Sequence, residues 1–423
     1  VVYTFNFIDR QILSILIEPI KADLGISDFG MGLLSGTAFA IFYATLGMPL
    51  ALVADRWNRR NLIGLSLAVW SGMTAATGVA YNYTSLLFIR IGVGVGEASC
   101  APAATSLIGD LYPANRRSRA MGLYMLGLPL GLVLAFFTVG AMVKSFDSWR
   151  APFFIAAVPG FILALFVLMI KEPKRGAAEP FKIKAAVVDK PFRKIMRIKT
   201  VWWIILSGVM VQMAGYSGNT FMVALLQRFF ELPIEKAALV TGLIVGVTGL
   251  FALTLGAQIS DRLHQFSSNG RLNYGAISLV GASVATYFAL GQESTQLTLF
   301  AVLFGLGWLL YYNYFTTIYP ALQDVVEPRL RATAMAIYFA GQYLLGGALG
   351  PVITGWLSDH YSNAAMQAAG AVEMTERFKA VGLHDALYII PVTLLLTGVF
   401  IYMAGRSYVD DSESMMSGMC DAK

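Results

Sequence analysis

The stretch "ALVADRWNRR", residues 51–60, closes a long apolar run with one aspartate and three arginines. A second stretch, "AQISDRLHQF" at 257–266, carries Ala, Asp and Arg at matching places 206 positions later. Another pair, "RSRAMGLYMLG" at 117–127 and "RATAMAIYFAG" at 331–341, repeats at an offset of 214. The similar offsets predict two duplicated halves, an arrangement that in membrane carriers places a substrate site at the interface of the halves.

The composition favours a membrane protein. Of the 423 residues 57% are hydrophobic and 13% are charged, whereas an average soluble domain is about 25% charged. Apolar segments of about 20 residues, enough to cross a bilayer, recur along the chain. We therefore predict an all-α integral membrane protein with 12 transmembrane helices in two six-helix bundles. The predicted spans are 3–20, 29–54, 61–81, 84–112, 118–145, 151–171, 200–229, 236–261, 271–291, 295–324, 330–358 and 384–406.

The charge pattern predicts the domain order and the orientation. Residues 1–171 form an N-terminal bundle, 172–199 a basic cytoplasmic linker, 200–406 a C-terminal bundle and 407–423 a cytoplasmic tail. Arginines concentrate in the loops after the second, fourth, eighth and tenth spans. By the positive-inside rule, those loops, the linker and both termini lie in the cytoplasm.

Several classes of function lack support in the sequence. The two cysteines and three histidines show no spacing typical of a disulfide framework, a metal site or a catalytic triad, so we predict no metal and no cofactor. The net charge of +6 follows from the loops and does not imply a nucleic-acid partner. The glycines of "GVGVGEAS", 92–99, lie inside a span, so they favour close helix packing over a nucleotide loop.

Four ionisable residues remain deep within spans: Asp9, Arg10, Arg90 and Glu97. Charges there usually face a cavity and mark a substrate or ion path. Asp9 and Arg10 are adjacent, so their side chains diverge and each needs another partner. We predict that Arg90 bridges Asp9 and Glu97 in a proton-coupling cluster, and that Arg10 points elsewhere to meet an anionic substrate. A static ion network that fixes helix packing is the alternative.

The C-terminal half offers polar and aromatic side chains instead of charges. Gln212, Tyr216 and Asn219 fall at i, i+4 and i+7 in the seventh span, which places them on one helix face. The tenth span contains Trp308, Tyr312 and Asn313. We predict that these six residues bind substrate, with ordinary packing or an interfacial aromatic belt as the alternative.

The quoted loop resembles the major facilitator superfamily, whose loop after the second span reads G-x-x-x-D-R-x-G-R-R. Here Ala51 and Asn58 replace the two glycines, and four charged positions match. The resemblance implies a cytoplasmic gate formed by Asp55, Arg56, Arg59 and Arg60 and, in the second half, by Asp261 and Arg262. The alternative is a solvated basic turn that only sets the topology. In that fold the first, fourth, seventh and tenth spans line the cavity. The cavity would then have a charged wall from the N-terminal half and an aromatic wall from the C-terminal half. That asymmetry suits an amphiphile with an anionic head.

Two longer stretches resemble the Spinster family: "NFIDRQILSILIEPIKADLGISDFGMGLLSGTAFAIFYATLGMPLALVADRWNRR" and "FIRIGVGVGEASCAPAATSLIGDLYPANRRSRAMG". Members are taken to carry lysolipids and sphingosine 1-phosphate. The family's intramembrane acid–arginine pair matches Asp9 and Arg10, and its fourth-span arginine and glutamate match Arg90 and Glu97. The resemblance implies a bacterial homologue in the inner membrane.

The combined expectation is a monomeric secondary carrier, not an enzyme, that moves a small amphiphilic anion by alternating access and is coupled to protons. Its partners are that substrate, protons and membrane lipids. The alternatives are a proton-coupled exporter of drugs or organic anions and a lipid-handling membrane enzyme. Flux that saturates and counterflows distinguishes a carrier from an enzyme, which would form a product.

Overall fold

The computed structural model describes residues 1–112, 120, 123–173, 191–327 and 330–420. Throughout these residues the regular structure is helical, as predicted. Eight helical segments in the described ranges are long and apolar enough to cross a membrane: Tyr83–Ile108, Leu123–Phe146, Ala151–Met169, Lys199–Arg228, Ile234–Phe266, Leu297–Asp324, Thr333–Ala368 and Glu376–Ser417. Helices also occupy the other four predicted spans. The linker prediction falls mostly on 174–190, outside the described residues.

The helices of the first half are α1 Val2–Ile15, α2 Ile17–Leu24, α3 Asp28–Gly32, α4 Ala38–Arg56, α5 Arg59–Thr77, α6 Tyr83–Glu97, α7 Cys100–Leu111, α8 Gly127–Phe146 and α9 Ala151–Met169. Those of the second half are α10 Pro191–Ile195, α11 Lys199–Arg228, α12 Ile234–Thr241, α13 Thr248–Phe266, α14 Gly270–Leu290, α15 Leu297–Asp324, α16 Arg331–Gly341, α17 Ala348–Ala368, α18 Glu376–Ala386 and α19 Ile389–Cys420. π-Helical turns at Leu33–Thr37, Gly242–Val247 and Gln342–Gly347 interrupt three spans.

The described residues divide into two compact units. Unit 1 holds residues up to 173 together with Thr220–Gln227 and Glu231–Gly242, which belong to the seventh and eighth spans. Unit 2 holds the remainder, from 191 to 420.

Two spans of unit 1 are broken helices, and a proline explains each break. Proline lacks an N–H and its ring clashes with the carbonyl four residues earlier. The ring of Pro19 would clash with the carbonyl of Ile15, which is the last residue of α1. The ring of Pro102 would clash with the carbonyl of the residue that follows Glu97, where α6 ends. Glu97 therefore lies where its span is interrupted, and broken helices are typical of carrier binding sites.

Glycines bring α6 close to its neighbours. A Cβ on Gly94 would lie 2.9 Å from the carbonyl oxygen of Phe39, and one on Gly96 would lie 2.9 Å from the backbone nitrogen of Trp70. Real Cβ contacts are not this short, so larger residues would push the helices apart. The prediction that "GVGVG" serves close helix packing is confirmed, and this packing fixes the depth at which Glu97 lies.

Helices α8 and α12 pack against each other within unit 1. A Cβ on Gly140 would lie 2.9 Å from the Cα of Glu235, so the two helices approach closely. Lys144 Nζ lies 2.7 Å from Glu235 Oε1 beside that contact.

Unit 2 packs α14 between α15 and α19. Helix α19 continues to Cys420, so the predicted tail is helical as far as that residue. Asp411 Oδ2 accepts hydrogen bonds from the backbone nitrogen and the hydroxyl of Thr200 at 2.9 and 2.7 Å. The carboxylate thereby caps the first turn of α11, a favourable place for a negative charge.

Candidate functional site

Several polar side chains of α1 are buried in unit 1. Asp9 is 3% exposed, and Asn6 and Gln11 are also buried. Two glycines of α8 allow α1 to approach: a Cβ on Gly131 would lie 2.7 Å from the Cβ of Phe7, and one on Gly127 would lie 2.9 Å from the backbone of α1. These contacts involve Tyr3, Thr4 and Phe7, so α8 packs closely against that side of α1.

Arg10 of α1 forms an ion pair with Glu97 of α6. Its Nε donates to Glu97 Oε2 at 2.7 Å, and the two side chains are 10% and 0% exposed. The guanidinium carbon also lies 5.1, 4.5 and 4.7 Å from the ring centroids of Phe7, Phe39 and Tyr43. Cation–π contacts in a desolvated site contribute about 2 kcal/mol. Three rings and a carboxylate therefore hold the Arg10 charge in place.

Asp9, Arg90 and Glu97 keep unused hydrogen-bonding capacity. Thr74 Oγ1 donates to Asp9 Oδ2 at 3.4 Å. Among the described residues, Asp9 Oδ1, Arg90 Nε and Glu97 Oε1 are buried with no hydrogen-bond partner. A buried polar atom without a partner costs about 1–3 kcal/mol. Such atoms are therefore candidates for accepting a proton or a ligand group.

The geometry corrects one prediction. Arg10 does not point away from Glu97 but pairs with it, and Arg90 forms no ion pair within 4.0 Å with either carboxylate among the described residues. Arg90 still interacts electrostatically with Glu97, Arg10 and Asp9. The expectation failed because it followed the directions of Cα–Cβ bonds, whereas an arginine side chain is long enough to turn toward a neighbouring helix. The roles assigned to the four residues stay predictions.

Arg59 is the centre of an ion-pair network in unit 1, at the end predicted to be cytoplasmic. Its side chain is 1% exposed and forms ion pairs with Asp110 and Glu172, the latter at 2.9 Å. Nη1 also donates to Ser106 Oγ at 3.1 Å. Burial alone would raise the pKa of Glu172, but its hydrogen bonds from Arg59 and the Arg60 backbone outweigh burial and lower that pKa below its ordinary value. The network fixes the start of α5 to the end of α7 and to the residues after α9.

The other predicted gate residues fall into different settings. The side chains of Asp55 and Arg56 lie outside the described residues. Arg60 bonds to Asn61 Oδ1 and to the carbonyl of Ile170. Arg262 is exposed on the surface of unit 2.

Unit 2 contains a related network that sequence reasoning missed. Arg271 Nη1 lies 2.9 Å from Asp324 Oδ2, and Nη2 lies 3.5 Å from Asp261 Oδ1. Tyr408 Oη donates to Asp324 Oδ2 at 2.8 Å. Arg271 and Asp324 follow Arg59 and Asp110 at offsets of 212 and 214, so extending the repeat beyond the quoted motifs would have found the pair.

Gln212, Tyr216 and Asn219 lie on α11 in unit 2. Gln212 is buried. A Cβ added to Gly346 would lie 2.9 Å from the Cβ of Gln212, so the backbone at Gly346 packs closely against α11. The rings of Tyr216 and Tyr343 meet edge to face with centroids 6.2 Å apart. Asn219 Oδ1 is buried and has no hydrogen-bond partner among the described residues.

The three predicted binding residues of α15 are packed inside unit 2. Trp308 is 0% exposed. Tyr312 Oη donates to the carbonyl of Val245 at 2.9 Å, and Asn313 Nδ2 donates to Ser278 Oγ at 3.4 Å. These hydrogen bonds join α15 to neighbouring helices, so the described contacts of Tyr312 and Asn313 agree with the packing alternative. Their role in substrate binding stays a prediction.

Comparison with known proteins agrees with the resemblance read from the sequence. A family model described as Major Facilitator Superfamily matches residues 1–351. An MFS-type efflux pump of Mycolicibacterium smegmatis is 28% identical over 413 residues, covering 96% of this chain and 91% of the relative. The sphingosine-1-phosphate transporter SPNS2 of Xenopus tropicalis is 24% identical over 423 residues, with coverage of 96% and 80%. Protein spinster homolog 1 of Rattus norvegicus is 27% identical over 387 residues, with coverage of 84% and 70%.

Solved structures give the same result. The crystal structure of a bacterial homologue of the human lysosomal transporter Spinster, inward-facing and unoccupied, matches with a TM-score of 0.88 and 28% identity. The match covers 97% of this chain and 96% of that one. The occupied inward-facing form of such a homologue matches with a TM-score of 0.84.

Proposed function

The chain belongs to the Major Facilitator Superfamily and is a transporter of the Spinster type, and on that basis we propose that it carries an amphiphilic anionic lipid, of the lysophospholipid or sphingosine 1-phosphate kind, coupled to protons. Transport proceeds by alternating access. The membrane is a bacterial inner membrane with both termini in the cytoplasm, an orientation supported by the basic loops.

The Arg10–Glu97 pair carries this proposal. While Glu97 is ionised, its carboxylate occupies Arg10 at 2.7 Å. A proton on Glu97 removes the negative charge and leaves the guanidinium available to an anionic headgroup, which an arginine binds through two parallel hydrogen bonds. Binding of the headgroup and of the proton are then favourably linked at one residue.

Asp9 supplies the second proton position in the proposal. Its Oδ1 atom has no hydrogen-bond partner among the described residues, and Glu97 is close enough to interact with it electrostatically. Two buried carboxylates that interact take up protons as a coupled pair. Asp9 and Glu97 therefore respond to the proton gradient as a pair.

The aromatic residues of unit 2 do not themselves carry the proposed apolar tail. Phe304, Trp308, Tyr311 and Phe315 form a series of ring contacts along α15, with centroids 5.1 to 5.7 Å apart. Phe304 and Trp308 are 0% exposed and Tyr311 is 6% exposed, so these rings pack against one another inside unit 2. The apolar tail is supported instead by the sphingosine-1-phosphate transporter among the relatives.

A second candidate is a proton-coupled exporter of drugs or organic anions. The efflux pump of M. smegmatis, 28% identical across most of both chains, favours it. Both candidates use the same charged set, and they differ in whether a long acyl tail is required for transport.

Uptake into proteoliposomes tests the proposal. Purified protein is reconstituted and given a panel of lysophospholipids of increasing tail length, sphingosine 1-phosphate and short organic anions, with and without a pH gradient. We expect saturable uptake that rises with tail length, depends on the gradient and shows counterflow. Transport of short anions alone supports the exporter, and product formation without flux contradicts both.

A further inference from the structure

A groove lies between α5 and α9 on the membrane-facing side of unit 1. Its volume is about 410 Å³. Gly64, Ala68 and Ala164 are among its lining residues, and their small side chains leave the recess open. Leu65 and Leu165, which also line it, are 52% and 66% exposed within apolar spans. The recess is thus open to the hydrocarbon of the bilayer.

The groove occupies the cytoplasmic half of the membrane. Helix α5 starts at Arg59 beside the cytoplasmic network and α9 ends at Met169 on the same side. The lining of α5 runs from Asn61 to Ala68, a length of about 10 Å at 1.5 Å per residue. That is two-thirds of the hydrocarbon thickness of one leaflet, about 15 Å. An extended acyl chain of the cytoplasmic leaflet fits this length.

A basic side chain stands at the cytoplasmic mouth. Arg60 Nε and Nη2 donate to Asn61 Oδ1 at 3.0 and 2.9 Å, and Nη1 donates to the carbonyl of Ile170 at 3.3 Å. Asn61 itself lines the groove, so these bonds hold the guanidinium at its entrance. Arginine has five N–H donors, and the named contacts leave donors available.

The charge of Arg60 is not cancelled by the described residues nearby. Its side chain forms no ion pair within 4.0 Å in the described part of the chain. Glu172 accepts from the Arg60 backbone at 3.0 Å, but its carboxylate is paired with the Arg59 side chain at 2.9 Å. Lys171 is exposed beside Ile170 and adds a second positive charge. An apolar recess with a basic mouth is complementary to one chemical class, an anionic lipid.

We propose that this groove binds a resident anionic phospholipid of the cytoplasmic leaflet, with the phosphate against Arg60 and one acyl chain between α5 and α9. A concave recess contacts a chain on several sides, so dispersion contacts accumulate there more than on a flat helix face. The lipid is distinct from the transported molecule, because the groove lies on α5 and α9 whereas the Arg10–Glu97 pair lies on α1 and α6. It holds together the two helices that flank the Arg59 network.

Native mass spectrometry of the full chain tests the proposal with phosphatidylglycerol and phosphatidylethanolamine of identical acyl chains. We expect one tightly bound phosphatidylglycerol, preferred about fivefold over phosphatidylethanolamine, the factor that one basic residue contributes near an anionic surface. Arg60→Gln removes the preference and Arg60→Lys retains it. Arg262→Gln, which changes an exposed cytoplasmic arginine of unit 2, is the matched control and leaves binding unchanged.

Filling the recess tests the acyl position. We expect Ala68→Phe to weaken the binding of both lipids and to leave the headgroup preference unchanged. If that variant does not fold, the smaller Ala68→Leu takes its place. Equal binding of the two lipids to the wild-type chain, or an Arg60→Gln variant that binds as the wild type does, overturns the proposal. Displacement of phosphatidylglycerol by equimolar lysophosphatidylglycerol also overturns it, since the groove would then belong to the transported amphiphile.

Discussion

Unit 1 holds four ionisable side chains on α1 and α6: Asp9, Arg90 and Glu97 are buried, and Arg10 is 10% exposed. The three buried ones each leave a polar atom without a partner among the described residues. Unit 2 instead buries tyrosines on α15 and α16 that satisfy one another: Tyr338 Oη lies 3.0 Å from Tyr314 Oη, which lies 3.1 Å from Ser207 Oγ. A half-satisfied charged set changes readily when a proton or an anion arrives. A satisfied neutral set resists such change. On the proposed function, we expect protonation to change unit 1 and to leave the tyrosine network of unit 2 unchanged.

Replacing Arg10 should give the largest effect. Arg10→Ala leaves the Glu97 carboxylate buried without its cation, and breaking a buried pair in this way destabilises proteins by about 3–5 kcal/mol. We expect loss of uptake of anionic amphiphiles together with a lower melting temperature in detergent. Arg10→Lys should recover stability more than uptake, because an ammonium group cannot form two parallel hydrogen bonds. Full uptake by Arg10→Ala would show that unit 1 does not bind the anionic group through Arg10.

The Arg59 and Arg271 networks provide the next test. Arg59→Ala removes a side chain that is 1% exposed from two carboxylates, and we expect a loss of about 3 kcal/mol. Arg271→Ala affects Asp261, which is 69% exposed, and Asp324, which is 35% exposed, so we expect about 1–2 kcal/mol. Thermal unfolding of both variants measures the ranking. Equal losses of stability would show that the Arg59 and Arg271 networks contribute equally to their units.

Glu172 should make stability depend on pH. Its pKa is lowered in the folded chain by hydrogen bonds that outweigh its burial. The stabilisation is therefore present above the ordinary glutamate pKa of about 4.3 and is lost as pH falls through the lower folded value. The melting temperature of Glu172→Gln should fall below that of the wild type above pH 5, and the difference should shrink in acid. An Arg59→Ala background should remove this pH dependence.

The smallest effect is expected in unit 2. Tyr314→Phe removes one hydroxyl from a satisfied network, which costs about 1 kcal/mol. Uptake should keep its dependence on the pH gradient, and Tyr338→Phe should behave alike. A changed pH dependence in either variant would assign unit 2 a part in proton coupling that the comparison denies it.

The sequence predicted the helical class, the repeat and the residues of the charged set, because each depends on composition or spacing. An apolar run predicts a span, and a charge inside it predicts a partner. The breaks after Ile15 and Glu97 were also open to prediction, since Pro19 and Pro102 follow them by four and five residues. Periodicity alone smooths over such breaks.

The pairing within the charged set could not be obtained in the same way. Spacing along one helix says nothing about which side chain of a neighbouring helix turns toward it, so Arg10 and Glu97, 87 positions apart, were not matched. Glu172 was missed because it lies in a segment that composition describes only as a linker. Both contacts depend on how α1, α5, α6 and α9 pack in three dimensions.

If Arg10 and Glu97 link substrate binding to protonation, substrate addition must drive proton movement. A pH-sensitive dye inside proteoliposomes reports protons that move when a lysophospholipid is added, for the wild type and for Asp9→Asn, Glu97→Gln and Tyr314→Phe. We predict a proton signal for the wild type and Tyr314→Phe, a reduced one for Asp9→Asn and none for Glu97→Gln. An unchanged proton signal in both carboxylate variants would contradict proton coupling through Asp9 and Glu97.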